Sequence, residues 1–169
     1  MPSSSLYRSR FGSLLRAYSL IGYAPDRDYR YIEINRHIRE AFPALLIEII
    51  AGLESAGGLV VCDPITQLLL INREFTASIV LARSFETHAG ALRWQIRFDT
   101  GLAPDVTVAV RLDRSNQKPL DYYILPSIDM NTSRIRMAED NALSLDAYRF
   151  ESLSFFYSLA TQTSFREAA

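Results

Sequence analysis

Arginine side chains recur at alternate positions in residues 91–99, which read ALRWQIRFD. In an extended chain Arg93, Gln95 and Arg97 share one face, because successive side chains of a strand point to opposite sides. A guanidinium group is planar, stays charged and presents its donors as a fork that matches carboxylates and phosphates. These side chains could therefore bind an anion, pair with carboxylates on neighbouring strands or form a solvated surface.

Two later segments predict strands that bring further charges to the same surface. Residues 106–113 alternate valines with polar side chains, and residues 120–125 read LDYYIL. If these strands are neighbours, one polar face collects Arg93, Arg97, Arg111, Asp99, Asp113 and Asp121. Opposite charges on adjacent strands pair across a sheet, and exposed ion pairs contribute little to stability. A salt-bridged wet surface and an anion-binding surface both remain open.

Arg83 ends another alternating segment, TASIVLAR, on the side that also carries Ile79 and Leu81. An arginine there extends to water or is paired, or it contacts a phosphate at the rim of a cleft. The net charge of the chain is −1, so a nucleic-acid site must be a local basic patch. The candidate nucleic-acid-binding residues are Arg83, Arg93, Arg97 and Arg111.

Metal-dependent catalysis would need carboxylates to converge, and the candidates are Asp63, Glu74, Asp99 and Asp105. The two histidines, His37 and His88, lie far apart in the sequence, and no HExxH or CxxC spacing occurs. His88 and Glu86 in the segment SFETHAG could form an acid–base pair, although loop residues of this kind are more often structural. We expect no resident cofactor or metal, with Mg²⁺ entering only if the carboxylates form a nuclease site.

The order of predicted elements is helices, then a run of strands, then helices. Helices are predicted at 12–21 and at about 28–42, with a second helix restarting at Pro43 and stopped by Gly57-Gly58. Strands follow from the hairpin LVVCDPITQLLLI to residue 125, and two helices are predicted at 134–141 and 146–160. This order predicts one α+β domain with a largely antiparallel or mixed sheet of five to six strands. Its parts would be a loose terminus (1–8), a helical region (12–56), a sheet (58–126) and a helical region (134–165).

Residues 57–126, with the helix before them, resemble the core of restriction-endonuclease-like domains, the PD-(D/E)XK group. The resemblance rests on a helix over 44–56, the hairpin LVVCDPITQLLLI, the tryptophan strand LRWQIRF and the closing strand DYYILP. Such domains hold a divalent metal between carboxylates, and a lysine assists the attacking water. Leu81-Ala82-Arg83 stands where carboxylate-x-lysine is expected, and Pro104-Asp105 follows the tryptophan strand. The resemblance implies a degenerate, non-catalytic member that binds nucleic acid (DNA or RNA) or a partner.

Two other functions remain open beside a nucleic-acid-associated domain. The adjacent aromatic residues Phe155, Phe156 and Tyr157 cannot all face one core stripe, which favours a protein-interaction or homodimerisation module. An atypical metal-dependent nuclease is the third alternative. The single cysteine, Cys62, and the absence of a long apolar run near the start predict a cytoplasmic protein without membrane contact.

Overall fold

The computed structural model describes residues 9–10, 20, 30–99 and 101–161 of the chain. The chain divides into two compact units, Met1–His37 and Ile38–Ala169. Nearly all of the helix predicted at 12–21 lies outside the described residues, as do residues 1–8 and 162–169. The second unit contains the sheets and the candidate site.

The elements of the described residues follow one another in the order helix, strands, short helices. Their bounds are α1 (Arg30–Ser55), β1 (Val60–Cys62), β2 (Leu69–Ile71), β3 (Phe75–Ala82), β4 (Ser84–Glu86), β5 (Leu92–Arg97), β6 (Val106–Leu112), β7 (Pro119–Pro126), a 3-10 turn (Ser127–Asp129), β8 (Arg134–Met137), α2 (Leu143–Asp146), β9 (Arg149–Phe150) and α3 (Ser154–Ser158). The predicted α+β class is confirmed.

Helix α1 continues through Pro43, where the sequence predicts a break between two helices. Proline removes one intrahelical hydrogen bond and costs about 3 kcal/mol in a helix interior. The residues after it offset this cost, because Leu46, Ile49 and Leu53 are buried in the core. The predicted stop is confirmed: Gly57 has φ +93°, and the Gly58 amide donates to the Leu53 carbonyl at 3.0 Å.

Six strands form a mixed central sheet in the order β1-β2-β3-β6-β7-β9. The pair β3–β6 is parallel, and the other neighbouring pairs are antiparallel. The parallel pair is possible because β4 and β5 lie between β3 and β6 in the chain, which gives the connection room to cross over. The predicted five to six strands are therefore found in one sheet.

A second, three-stranded antiparallel sheet has the order β4-β5-β8. Residues 134–137 form strand β8 and pair with β5, so the helix predicted at 134–141 is wrong. The segment SFETHAG, predicted as a loop, begins with strand β4. Neither strand is long enough to be stable alone, and each is held by its pairing to β5.

The two faces of the central sheet bury two separate apolar clusters. Helix α1 covers one face, where Ile49 and Leu53 pack with Ile79, Val108 and other buried residues. The three-stranded sheet covers the other face, where Trp94 and other β5 residues pack with strands β6 and β7. The second sheet therefore has one buried face and one face that points away from the core.

The C-terminal region differs from the single helix predicted at 146–160. It consists of α2, the short edge strand β9 and α3. Of the three adjacent aromatic residues, Phe156 is fully buried, Tyr157 is half-buried, and Phe155 stacks on Phe150 with ring centroids 4.8 Å apart. None of the helices in the described part of the chain is both long and apolar enough to cross a membrane.

Candidate functional site

The outward face of the three-stranded sheet is rich in arginine. Arg93 lies opposite Phe85 on β4, Gln95 lies opposite Arg136 on β8, and Arg97 lies opposite Arg134. Residues directly opposite in an antiparallel pair share a face. This surface, called the arginine face below, consists of Phe85, Arg93, Gln95, Arg97, Arg134 and Arg136.

Two polar anchors hold the second sheet with its other side against the core. The indole N–H of Trp94, which is fully buried, donates to the Leu112 carbonyl at 2.8 Å. The amide of Ser84 donates to the Asn116 side chain at 2.7 Å. These bonds join β5 and β4 to the end of β6 and the turn after it. Because side chains alternate along a strand, fixing Trp94 inward points Arg93 and Arg97 outward.

The charges of the arginine face are of one sign. Four of its six residues are arginines, and none is acidic. Glu86, the carboxylate nearest to it in β4, lies opposite Leu92 and bonds to Arg114 at 2.7 Å. Arg97 directly faces Arg134, and like charges in that position destabilise a sheet. The fold therefore tolerates a charge repulsion between Arg97 and Arg134 that a surface with both acidic and basic side chains would avoid.

The guanidinium groups of this face are not consumed by internal ion pairs. Among the described residues, Arg111 and Arg149 pair with Asp121 and Arg114 pairs with Glu86, and none of these ion pairs involves an arginine of this face. Arg93 donates one hydrogen bond, from Nη1 to the Leu92 carbonyl at 2.7 Å, and a guanidinium carries five N–H donors. Most donors of the face therefore point to solvent and are open to an anion.

Arg111 lies elsewhere, so the predicted shared polar face is wrong. Its side chain is fully buried between the two sheets and makes two bonds to Asp121, at 2.7 and 2.6 Å. Its guanidinium also lies 4.3 Å from the centre of the Trp94 ring and 5.0 Å from that of Tyr123. A guanidinium with no exposed surface offers nothing to a ligand, whereas Arg93 and Arg97 are on another sheet.

The Arg111–Asp121 pair belongs to a larger buried network. Arg149 donates from Nε to Asp121 at 2.8 Å, and the Tyr123 hydroxyl donates to Asp146 at 2.7 Å. Burial, then the bond to Asp146, raises the pKa of Tyr123 to about 12, and the same bond lowers the pKa of the Asp146 carboxyl. No buried side-chain polar atom in the described residues lacks a partner, which is typical of a structural network.

Arg83 occupies the single position between β3 and β4, and it is half-buried. It lies between the two sheets in the chain and is not one of the paired residues that form the arginine face. Its predicted role as a phosphate contact stays a prediction.

Three of the four predicted catalytic carboxylates hold turns or loop ends. Asp63 accepts bonds from the amides of Ile65 and Thr66 at 2.9 and 2.6 Å, and the Thr66 amide is the main cause of its lowered pKa. Asp99 accepts two amide bonds at 2.9 Å within its own turn. Carboxylates used in this way are common in turns of any function.

Asp105 and Glu74 lie near the start of the parallel strand pair. Asp105 accepts bonds from the amide and the hydroxyl of Thr76, both at 2.7 Å, and the hydroxyl is the main cause of its lowered pKa. Glu74 is an exposed residue in the turn before β3. Throughout the described ranges, no group of three His, Cys, Asp or Glu side chains could hold a metal ion.

Two histidines complete the predicted candidates. His88 is exposed in the turn between β4 and β5, and its neighbour Glu86 bonds to Arg114 instead. His37 is half-buried on α1. The predicted acid–base pair of His88 and Glu86 is not formed.

The sequence interpretation missed Arg134 and Arg136, which supply half of the charge of the arginine face. The signal was present, because the segment RIRM alternates with a period of two. Four residues are too few to separate a strand from a helix turn, and β8 gains its pairing only from β5.

Comparison with known proteins assigns no family. No protein-family model matches the chain, and no curated protein matches it. Among solved structures, the bacterial homing endonuclease I-Ssp6803I is similar at 18% identity, over 67% of this chain and 85% of that chain. The TM-score is 0.40, too low to carry an argument about fold family or activity, so the endonuclease-like resemblance seen in the sequence stays a prediction.

Proposed function

We propose that this protein binds nucleic acid through the arginine face and does not cleave it. The single observation that supports the proposal is the face itself: four arginines on paired strands, without a carboxylate among them. The guanidinium fork matches phosphate oxygens as well as carboxylates, and phosphate groups repeat along a polynucleotide.

The charge distribution is consistent with a local site on a nearly neutral protein. The net charge of the chain is −1, so binding would depend on the face rather than on the whole surface. Each neutralised phosphate releases counterions, with a salt slope of about −0.7 per contact for single strands and about −0.9 for duplexes. Four contacts therefore correspond to a slope of about −2.8 for a single strand and about −3.6 for a duplex.

The non-catalytic part of the proposal is supported by the uses of the carboxylates. Asp63, Asp99 and Asp105 each accept hydrogen bonds from backbone amides, and these bonds occupy lone pairs that a metal would need. The absence of the carboxylate-x-lysine motif before Arg83 points the same way.

The test is fluorescence anisotropy with labelled 12-mers over a range of salt concentrations. The double variant R97Q/R136Q removes two charges from the face, and R73Q/K118Q removes two exposed charges from turns outside it. We expect R97Q/R136Q to weaken binding by tenfold or more and to reduce the salt slope by about 1.4 for single strands. We expect R73Q/K118Q to bind nearly as the unmodified protein does.

Equal losses in the two double variants would contradict the proposal, because affinity would then follow net charge alone. Incubation of the same oligonucleotides with Mg²⁺ or Mn²⁺ tests the non-catalytic part. Cleavage that survives purification of the protein, and that is lost in Asp105→Asn, would show that the carboxylates do form a metal site.

Self-association or a protein partner remains the second candidate, carried over from the aromatic cluster near the C-terminus. Phe155 is 47% exposed, but the stacking on Phe150 already gives its ring a partner. Sedimentation at high protein concentration tests homodimer formation directly.

A further inference from the structure

An aromatic ring lies among the charges of the arginine face. Phe85 is 38% exposed and sits directly opposite Arg93 on the neighbouring strand. Within the described part of the chain its ring enters no aromatic pair and no cation–π contact. Phe85 belongs to neither of the two apolar clusters, so its partly exposed ring beside Arg93 is available to a planar ligand group.

We infer that the arginine face takes a single-stranded polynucleotide, with one base stacked on Phe85 and the flanking phosphates held by arginines of β5 and β8. The inference rests on the proposed function and adds to it the kind of strand and the residue that selects it. A sheet that combines basic side chains with an exposed ring is suited to single strands, because unpaired bases offer their faces for stacking.

The width of the sheet disfavours a duplex in this role. Neighbouring strands lie about 4.8 Å apart, so three strands span about 10 Å between the outer backbones before side chains are added. The major groove of B-DNA is about 12 Å wide and admits a helix or a two-stranded ribbon. A three-stranded face is too broad to enter it, whereas a single strand can lie across β4, β5 and β8.

The spacing of the face also suits a flexible strand. Arg93, Gln95 and Arg97 follow one another on β5 at intervals of about 7 Å, so Arg93 and Arg97 are about 13 Å apart along the strand. Phe85 and Arg93 are adjacent across the sheet, so one nucleotide could place its base on the ring and its phosphate on the guanidinium.

The experiment compares dT12, rU12 and a 12-base-pair duplex in anisotropy titrations. Phe85→Leu keeps apolar volume and removes the ring. Phe155→Leu is the control, because it removes an exposed ring (47% against 38% for Phe85) from α3, away from the arginine face. We expect F85L to weaken dT12 binding about tenfold or more, since stacking on an aromatic side chain contributes that much per base. The salt slope should not change, because no charge is lost.

A second variant keeps the test independent of any folding defect. Phe85→Trp retains a stacking surface, so it should bind dT12 at least as well as the unmodified protein. Its added indole should be quenched on binding, whereas the buried Trp94 should not respond. Retained binding by rU12 as well as dT12 would indicate that the site takes either sugar.

The outcomes separate the inference from the proposed function. If F85L binds dT12 normally while R97Q/R136Q does not, the face binds nucleic acid but Phe85 does not select single strands, and the inference is refuted alone. Tighter binding of the duplex than of dT12 also refutes it. Failure of all three oligonucleotides to bind at low salt refutes both.

Discussion

The buried ion pair between the two sheets gives the sharpest stability prediction. Asp121 is nearly buried and shared by two arginines, of which Arg111 is fully buried and Arg149 is partly exposed. Removing the carboxylate in Asp121→Ala leaves the Arg111 guanidinium without a counter-charge in the core. Breaking a buried pair in this way costs about 3–5 kcal/mol, which is a large part of a stability of about 5–15 kcal/mol.

The opposite change, Arg111→Met, should cost less, about 1–2 kcal/mol. Asp121 keeps its bond to Arg149, and the Ala138 carbonyl that Arg111 also serves keeps the Asn141 side chain as a donor at 3.2 Å. Methionine fills the space beside Trp94 with an apolar chain. R111M should therefore lower the free energy of unfolding less than D121A does, because it leaves no buried charge without a partner.

Urea unfolding followed by the fluorescence of Trp94, the single tryptophan of the chain, measures both variants. The ring lies against Arg111, so it reports on the interface between the two sheets. The double variant R111M/D121A should be more stable than D121A alone, because it also removes the Arg111 charge that D121A leaves buried without a partner. The electrostatic reasoning would be wrong if R111M lowered the free energy of unfolding more than D121A does. It would also be wrong if the double variant had a lower free energy of unfolding than D121A.

Two further variants test the packing of α1 and the acid sensitivity of the β3–β6 connection. Gly52→Ala should destabilise the protein by about 1–3 kcal/mol, because a Cβ there would overlap Cζ of the Tyr157 ring and lie 2.7 Å from the two neighbouring ring carbons. Adding Tyr157→Leu should restore most of the loss in thermal melts. Thr76→Val removes the hydroxyl that lowers the pKa of Asp105. A carboxylate whose pKa is lowered by folding stabilises the folded state at pH values above its unfolded pKa, near 3.9. This stabilisation is lost as the pH falls through the folded-state pKa. The stability gap between the unmodified protein and T76V should therefore narrow as the pH falls below about 4 in urea titrations.

Either variant could contradict the structure. An unchanged melting temperature for G52A would show that Tyr157 does not contact the helix there. A gap for T76V that stays constant on acidification would show that the hydroxyl does not act through the Asp105 carboxylate.

Short-range patterns predicted much of the fold because they depend on neighbours in the chain. The alternation of Leu92, Trp94 and Ile96 with polar residues assigned a strand and its inward face, and the structure buries all three. Gly57 ended the helix as predicted, because a left-handed backbone at that position favours glycine. Such patterns are predictable from the sequence, because the backbone geometry that causes them depends on adjacent residues.

Local patterns gave wrong predictions where contacts between segments far apart in the chain decided the structure. The break at Pro43 failed because core packing by Ile49 and Leu53 outweighs a lost hydrogen bond. The helix at 134–141 failed because β5 offers β8 a pairing edge that a local pattern does not reveal.

The sequence by itself determined that this chain is an α+β protein with arginines on the polar side of a tryptophan strand. Only the tertiary structure decided which charges meet. It buries Arg111 against Asp121, and it brings Arg134 and Arg136 from 37 and more positions away to lie beside Arg97 and Gln95. The reason is physical: side-chain alternation is a local property of a strand, whereas strand order and the choice of sheet depend on the free energy of burying the whole core.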